Sequence, residues 1–363
     1  MPRAEPVQTR VARAPGGLLA RGNAILPIEL LQGTEAARAV AHGRAYWLAG
    51  GPIAFAAAIE IERTDSGGRR SRRLALGEID AGERDILCAP RSSIVRVPLD
   101  TTRIMGIVNA TPDSFSDAGA YPGPDAAIAH GKAQVAAGAD FLDIGGESTR
   151  PGADPVGVAE EIARVVPVIE GLNDAGVPLS IDTRNAATMR ASVEAGAVIV
   201  NDISALSHDP DSAGSVADLG VPVILCHSRG NPASMREHAN YKDVGFEVRA
   251  ELNESLQKAL VGGVLRENIL IDPGFGFAKK PEHNARLLHD LALLHGLGCA
   301  ILVGASGKSF DRIAARANEP VRRIGASLAA ALAAIDRGAQ ILRVHDVAAS
   351  IQAIAVHRAI VGA

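Results

Sequence analysis

Cysteine is scarce in these 363 residues: Cys88, Cys226 and Cys299 are odd in number, far apart and in no C-x-x-C pair. That excludes a disulfide framework or a structural zinc site and points to a reducing compartment. Aromatic residues make up 3% of the chain, with a single Trp, which speaks against platforms for stacking nucleic-acid bases. Charge of one sign is also missing. Lys and Arg number 37 against 41 Asp and Glu, a net −4, so there is no basic footprint for nucleic acid. No apolar run approaches the roughly 20 residues that span a bilayer. Residues 1–21 carry several Arg but lack the apolar core and cleavage pattern of a signal peptide. The expectation is a soluble, cytoplasmic enzyme with neither nucleic acid nor membrane among its partners.

What is present is an ordinary globular composition, 47% hydrophobic and 21% charged. The length suits two domains, or one large α/β barrel with an appendage. Residues 1–95 read as an N-terminal extension, a small β-rich or α+β module. It holds Trp47, an apolar stretch over 46–61 and a basic turn, Gly67-Gly68-Arg69-Arg70-Ser71-Arg72-Arg73. That turn separates strand-like pieces at 53–61 and 72–78, which predicts a hairpin. The arginines read as a solvated loop, and no chemistry is evident in this part.

Residues 96–363 read differently. Eight short apolar runs, at 103–108, 141–144, 179–181, 198–200, 222–225, 269–271, 300–303 and 341–344, hardly alternate, as parallel strands buried on both faces should. Helical periodicity follows them. Val158, Ile162, Val165, Ile169 and Leu172 share a face, with Gly176 as the stop. Val244, Val248, Leu252 and Leu256 share another, as do Val321, Ile324, Leu328, Leu332 and Ile335 between Pro320 and Gly338. Eight β–α repeats in this length predict a (β/α)8 TIM barrel, with a doubly wound open sheet as the alternative.

Polar residues follow every strand: Asn109; Asp143, Glu147 and Arg150; Asp182; Asn201 and Asp202; His227 and Arg229; Asp272; Ser306, Lys308 and Ser309; Arg343, His345 and Asp346. In a barrel these positions converge on the C-terminal mouth, where active sites lie. Capping explains single cases such as Asp113, Ser148 and Asp154, but not eight strand ends out of eight. Acceptors Asp182, Asn201 and Asp272 suit a flat heterocycle with adjacent N–H donors, such as a pterin or purine. Arg150, Lys308, Arg343 and His345 suit a phosphate or pyrophosphate. Asn109, with a nearby carboxylate, could help hold Mg2+. His227 and His345 are too isolated to argue zinc. The Gly-Ala-Ser-Gly-Lys-Ser run at 304–309 lacks the glycine spacing of a Walker loop.

Several of these segments together resemble the signatures of dihydropteroate synthases. They are Met105-Gly106-Ile107-Val108-Asn109-Ala110-Thr111-Pro112-Asp113-Ser114-Phe115-Ser116 and Asp143-Ile144-Gly145-Gly146-Glu147-Ser148-Thr149-Arg150-Pro151-Gly152, then Ser180-Ile181-Asp182-Thr183, Asn201-Asp202-Ile203-Ser204, Asp272-Pro273-Gly274 and Arg343-Val344-His345-Asp346. The resemblance covers residues 95–363. It implies a barrel enzyme that condenses 6-hydroxymethyl-7,8-dihydropterin pyrophosphate with p-aminobenzoate, giving dihydropteroate and pyrophosphate on the folate pathway. By motif position it implies that Asp182, Asn201, Asp272, Lys308 and Arg343 hold the pterin. Asn109, Arg150 and His345 would hold the pyrophosphate and its Mg2+, and Thr149, Pro151 and Ser309 would border p-aminobenzoate. Arg150, Asp182, Lys308 and His345 are the expected catalytic residues, and a homodimer is usual in the family.

Three departures from the family pattern stand out. Gly307 occupies the Arg position of the usual Ser-Arg-Lys-Ser, Ala278 the second Gly of Gly-Phe-Gly-Lys, and the fifth strand ends Cys226-His227-Ser228-Arg229 where Met is usual around the His. The rival readings are a pterin-binding methyltransferase and a weakly active or non-catalytic paralogue.

Overall fold

The computed structural model describes residues 23–64, 68–110, 124–148, 155–231, 234–304 and 324–362. Its larger part is a closed barrel of eight parallel strands. These are β5 (Arg103–Asn109), β6 (Phe141–Gly145), β7 (Leu179–Asp182), β8 (Ile199–Asp202), β9 (Val223–Cys226), β10 (Ile269–Asp272), β11 (Ala300–Val303) and β12 (Ile341–Val344). They pair in sequence order, and β12 closes on β5 through Ile341↔Arg103 to Val344↔Gly106. Each predicted run is therefore a strand, within a residue or two at its ends, and the open sheet is excluded by the closure.

The apolar runs fail to alternate because both faces are covered. Outward residues such as Ile144, Ile181, Val200, Leu225 and Ile271 form one core with the surrounding helices. Inward residues Met105, Phe141, Ile199, Ile224, Leu270, Leu302 and Ile341 form a second core at the N-terminal end of the barrel. Ile94 and Leu99 join that inner core and plug the end.

The helix faces follow the predicted periodicity fully over 244–261, in part over 158–172 and not over 324–335, and Pro320 and Val321 lie outside the described residues. In α4 (Val158–Leu172), Val165, Ile169 and Leu172 are buried, while Val158 and Ile162 lie nearer the surface. In α7 (Val244–Val261) all four predicted residues are buried. In α9 (Ile324–Ile335) the buried residues are Ala330, Ala331 and Ala334, and Leu328 and Leu332 are only half-buried. Alanines let that helix approach closely, so side-chain size misplaced the buried face.

Residues 23–88 form a second layer on the outside of the barrel. Antiparallel strands β1 (Asn23–Leu31), β3 (Ala54–Arg63) and β4 (Arg69–Ala75), with a short β2 (Tyr46–Trp47), make one sheet. The predicted hairpin is β3–β4, paired from Ala57↔Ala75 to Arg63↔Arg69, and residues 76–78 turn into a 3-10 helix instead of extending it. β1 escaped the sequence reading because Pro27 interrupts it. Proline is tolerated because, among the described residues, β1 pairs with β3 alone. The arginines expected in a solvated loop lie instead on β4 and meet carboxylates. Arg72 bonds Glu60 and pairs with Glu78, and Arg73 bonds Glu29. Ala24, Leu26 and Ile61 of the sheet pack on Ala292 and Leu293 of the 3-10 segment Leu291–Leu297. Two helices complete the layer, α1 (Gly33–Ala41) and α2 (Ala81–Cys88). Among the described residues no helix is long and apolar enough to cross a membrane.

Candidate active site

Strand geometry builds the site. Side chains two residues apart share a face, so each apolar inward residue is followed, two positions on, by one nearer the mouth. Phe141 leads to Asp143, Ile199 to Asn201, Leu270 to Asp272 and Ile341 to Arg343. The same parity puts Asp182 two residues beyond buried Ser180. The lower layer is thus apolar and the upper layer polar, with Gly145 and Gly304 at inward positions beside it. A Cβ at Gly145 would stand 3.5 Å from the Asp182 Cβ, and one at Gly304 3.7 Å from Asp272 Oδ2.

These residues touch across the barrel. Arg343 donates from Nε to Asp143 Oδ2 at 2.5 Å and from Nη2 to Asp182 Oδ2 at 2.7 Å. Asn201 Nδ2 donates to the same Asp143 oxygen at 2.9 Å. Asp272 Oδ1 accepts from the Gly274 amide at 2.7 Å. Burial opposes the Arg343 charge, but Asp143, Asp182 and Asp272 outweigh it and raise its pKa. Among the described residues, three carboxylates act on this one guanidinium. Asp143 Oδ1 is buried with no hydrogen-bond partner among the described residues. Such a mouth favours a ligand that brings N–H donors or positive charge.

Of the residues expected at the site, Asp182, Asn201, Asp272 and Arg343 converge, Asn109 ends β5 half-buried, and His345 lies exposed just beyond β12. Thr149, Arg150, Pro151, Lys308 and Ser309 fall outside the described residues, as does Gly307. Asp143 enters the sequence reading as a strand-end polar residue and motif member, with no role of its own. Its even spacing from Phe141 was the signal that places it at the centre.

Other strand-end residues do not join the cluster. Asp202 accepts from the amides of Ser204 and Leu206 and from the Ser204 hydroxyl, a local turn. Asp346 accepts from the Ala349 amide at the start of α10 (Val347–Gly362). Arg229 is taken by α7, donating to Glu251 and at 2.8 Å to Glu247, with its guanidinium 3.9 Å from the centre of the Tyr241 ring. His227 is buried. Its Nε2 is 3.0 Å from Glu251, and its Nδ1 is 2.8 Å from Lys279 Nζ. Burial, with Lys279 beside it, holds its pKa down to about 4, so the ring is neutral at pH 7. The structural reading of His227 is the one that fits.

Lys279 was missed because nothing in the sequence marks it as buried. Its Nζ donates to the carbonyls of Gly274 at 3.0 Å and Phe277 at 3.1 Å, folding the turn after β10 back under Asp272. Burial lowers its pKa to about 7. Ala278, the departure from glycine, has φ 48 and a buried methyl beside Ile203, Cys226, Met235 and Phe277. The backbone there keeps the left-handed conformation that glycine adopts freely, and packing offsets the strain.

Metal ligation is sparse. Among the described residues no three His, Cys, Asp or Glu gather to hold an ion. Asn109 offers a hard oxygen donor, which fits a Mg2+ carried largely by phosphate oxygens and water.

A family profile described as "Pterin binding enzyme" matches residues 105–345. The Escherichia coli protein named dihydropteroate synthase is 42% identical over 266 residues, covering 73% of this chain and 94% of its own length. A Haloferax volcanii protein named "Probable bifunctional folylpolyglutamate synthase/dihydropteroate synthase" is 42% identical over 311 residues, 86% of this chain, which spans only 35% of that longer protein. The solved structure of Xanthomonas albilineans dihydropteroate synthase with 4-aminobenzoic acid superposes with a TM-score of 0.68 at 48% identity, covering 72% of this chain and 94% of its own. Barrel, inward carboxylates, ordered motifs and these relatives agree, and the chain belongs to the dihydropteroate synthase family of pterin-binding transferases.

Proposed function

We propose that this chain joins 6-hydroxymethyl-7,8-dihydropterin pyrophosphate to p-aminobenzoate, forming dihydropteroate and releasing pyrophosphate. The observation that carries the reading is the cluster of Asp143, Asp182, Asn201 and Arg343, with Asp272 at the end of β10. A pterin presents an amide and an amino group along one edge, and fixed carboxylates accept both. In this reading Asp182, Asn201, Asp272 and Lys308 hold that ring, and Arg343 packs beside it. Asn109, Arg150 and His345 take the pyrophosphate, and Thr149, Pro151 and Ser309 border the p-aminobenzoate.

The chemistry asks for charge stabilisation. The C–O bond to pyrophosphate breaks, positive charge spreads into the pterin, the aniline nitrogen forms the new C–N bond, and its surplus proton leaves. An aniline is a weak nucleophile, so stabilising both ions matters more than a general base. Asp182 and Asp272 face the cationic side, while Arg150 and His345 serve the departing anion. Mg2+, when bound with the pyrophosphate beside Asn109, would neutralise charge on the leaving group. Cytoplasmic location, homodimeric assembly and a division of the chain into residues 1–95 and 96–363 belong to the same reading.

The test is direct. With Mg2+ and the pterin pyrophosphate, pyrophosphate release should require p-aminobenzoate, and the product should have the mass of dihydropteroate. Asp182→Ala and Arg150→Ala should each lower turnover by about 10²-fold or more, the scale of one lost transition-state contact. Near-normal turnover in both would remove the assignment.

A further inference from the structure

One buried ion pair lies outside the cluster and yet touches two of the loops that frame it. Glu147 follows β6 and Arg184 follows β7, two residues beyond Asp182. Arg184 donates from Nε to Glu147 Oε2 at 2.9 Å and from Nη2 to Glu147 Oε1 at 2.8 Å, a two-pronged pair. The side chains are 10% and 5% exposed, so the pair is largely removed from water. Glu147 Oε1 also accepts from the Val156 amide at 3.2 Å.

Residues 147 and 156 flank the segment 148–155. One carboxylate therefore holds both ends of that segment and ties them to the residue that follows the Asp182 strand. The surrounding bonds stiffen this junction. Arg164 of α4 donates to the Gly146 carbonyl at 2.9 Å. Asn185 and Thr188, in the first turn after Arg184, both donate to buried Glu161 of α4, at 2.8 and 2.6 Å. Asp202 at the end of β8 bonds its own turn and adds a second negative charge near Arg184. A planar guanidinium against a carboxylate fixes orientation as well as distance, which a single hydrogen bond does not.

We propose that Glu147 and Arg184 are positioning residues, which set the segment 148–155 in register with Asp182 for the reaction. The inference rests on the functional reading above, in which Thr149, Arg150 and Pro151 of that segment meet p-aminobenzoate and pyrophosphate. Neither residue of the pair reaches substrate. The pair acts by holding Glu147 and Val156 to Arg184, two residues beyond Asp182. Loss of one partner leaves the other's charge buried and releases the Val156 end.

The experiment compares the full chain with Arg184→Lys, Arg184→Met and Glu147→Gln, using steady-state kinetics, binding of 6-hydroxymethyl-7,8-dihydropterin alone, thermal melting and amide exchange. The pterin without its pyrophosphate should bind each variant as it binds the parent chain. The KM for p-aminobenzoate should rise about tenfold or more in Arg184→Met and Glu147→Gln, the scale of a small misplacement. Arg184→Lys should fall between these and the parent. Exchange in peptides covering 147–157 should accelerate while the barrel strands stay protected. A folded variant with unchanged KM and unchanged exchange overturns the proposal, as does a lower melting temperature with loss of kcat alone, the mark of a purely structural pair. Should the variants fail to fold, the parent chain still decides. A Val156 amide that exchanges as fast as in a free peptide sinks the idea. A parent chain that makes no dihydropteroate defeats the functional reading instead, and the exchange arm still tests the pin.

Discussion

Single residues at the mouth are held by backbone as much as by side chains. Gly274 has φ 67, and a Cβ there would stand 1.9 Å from the His227 carbonyl oxygen. No side chain fits without moving the turn whose amide bonds Asp272. Gly274→Ala should therefore cost about 2 kcal/mol or more in urea unfolding, since strain and overlap add. It should also weaken pterin binding in a titration, because Asp272 loses its anchor. Equal stability and binding in the variant would refute that account. This site was legible in part. Asp182, Asn201, Asp272 and Arg343 announce themselves as polar residues ending apolar runs, and parity confirms that they share a face. Lys279 and Arg184 do not. Their partners are distant in sequence, and a charged residue in a loop reads as solvated until the fold shows what it meets.

At the scale of an element, the turn after β10 hangs on one amine. Lys279 is held down to about 7 by burial, against 10.5 for an ordinary lysine. Between those values the unfolded chain binds the proton that the folded chain has released, so stability should rise with pH. From pH 7 to 9 the gain from this one group should be roughly 2 kcal/mol. Lys279→Met should lose that slope, whatever it does to stability at pH 7. Urea titrations of both proteins at the two pH values measure it, and parallel slopes would count against the account. The strands themselves were easy to read, because burial on both faces demands an unbroken apolar run. The extension was harder. Its sheet is covered on one face by small helices and on the other by the barrel, so its pattern is neither alternating nor continuous, and Pro27 hides β1.

Taken whole, the molecule is one barrel closed at its N-terminal end, with the extension fastened along its flank. Beyond the apolar contact of Leu26 and Ile61 with Ala292 and Leu293, polar bonds tie the two parts together. Gln32 donates to Asp336 at 2.7 Å, Arg91 donates to the His295 carbonyl at 3.0 Å, and Arg69 pairs with Asp243 and Asp290. Removing residues 1–90 uncovers Ala292, Leu293 and Phe246 and should lower the melting temperature by about 5 °C or more, the shift expected for a loss of a few kcal/mol. An unchanged melting temperature would make the extension a passenger. No motif in the extension foretold this attachment, because docking surfaces carry no periodic signal of their own.

The order in which these contacts become available follows from that fastening. Gln32 and the Val361 backbone that crowds Gly33 lie at opposite ends of the sequence, and Asp336 also receives His357 from the last helix. During synthesis the sheet leaves the ribosome first, while its resting place on the barrel is completed last. Its barrel-facing apolar residues Ala24, Leu26 and Ile61 stay bare until residues 291–297 are made, so a nascent chain stalled before that segment should present the surface that chaperones recognise.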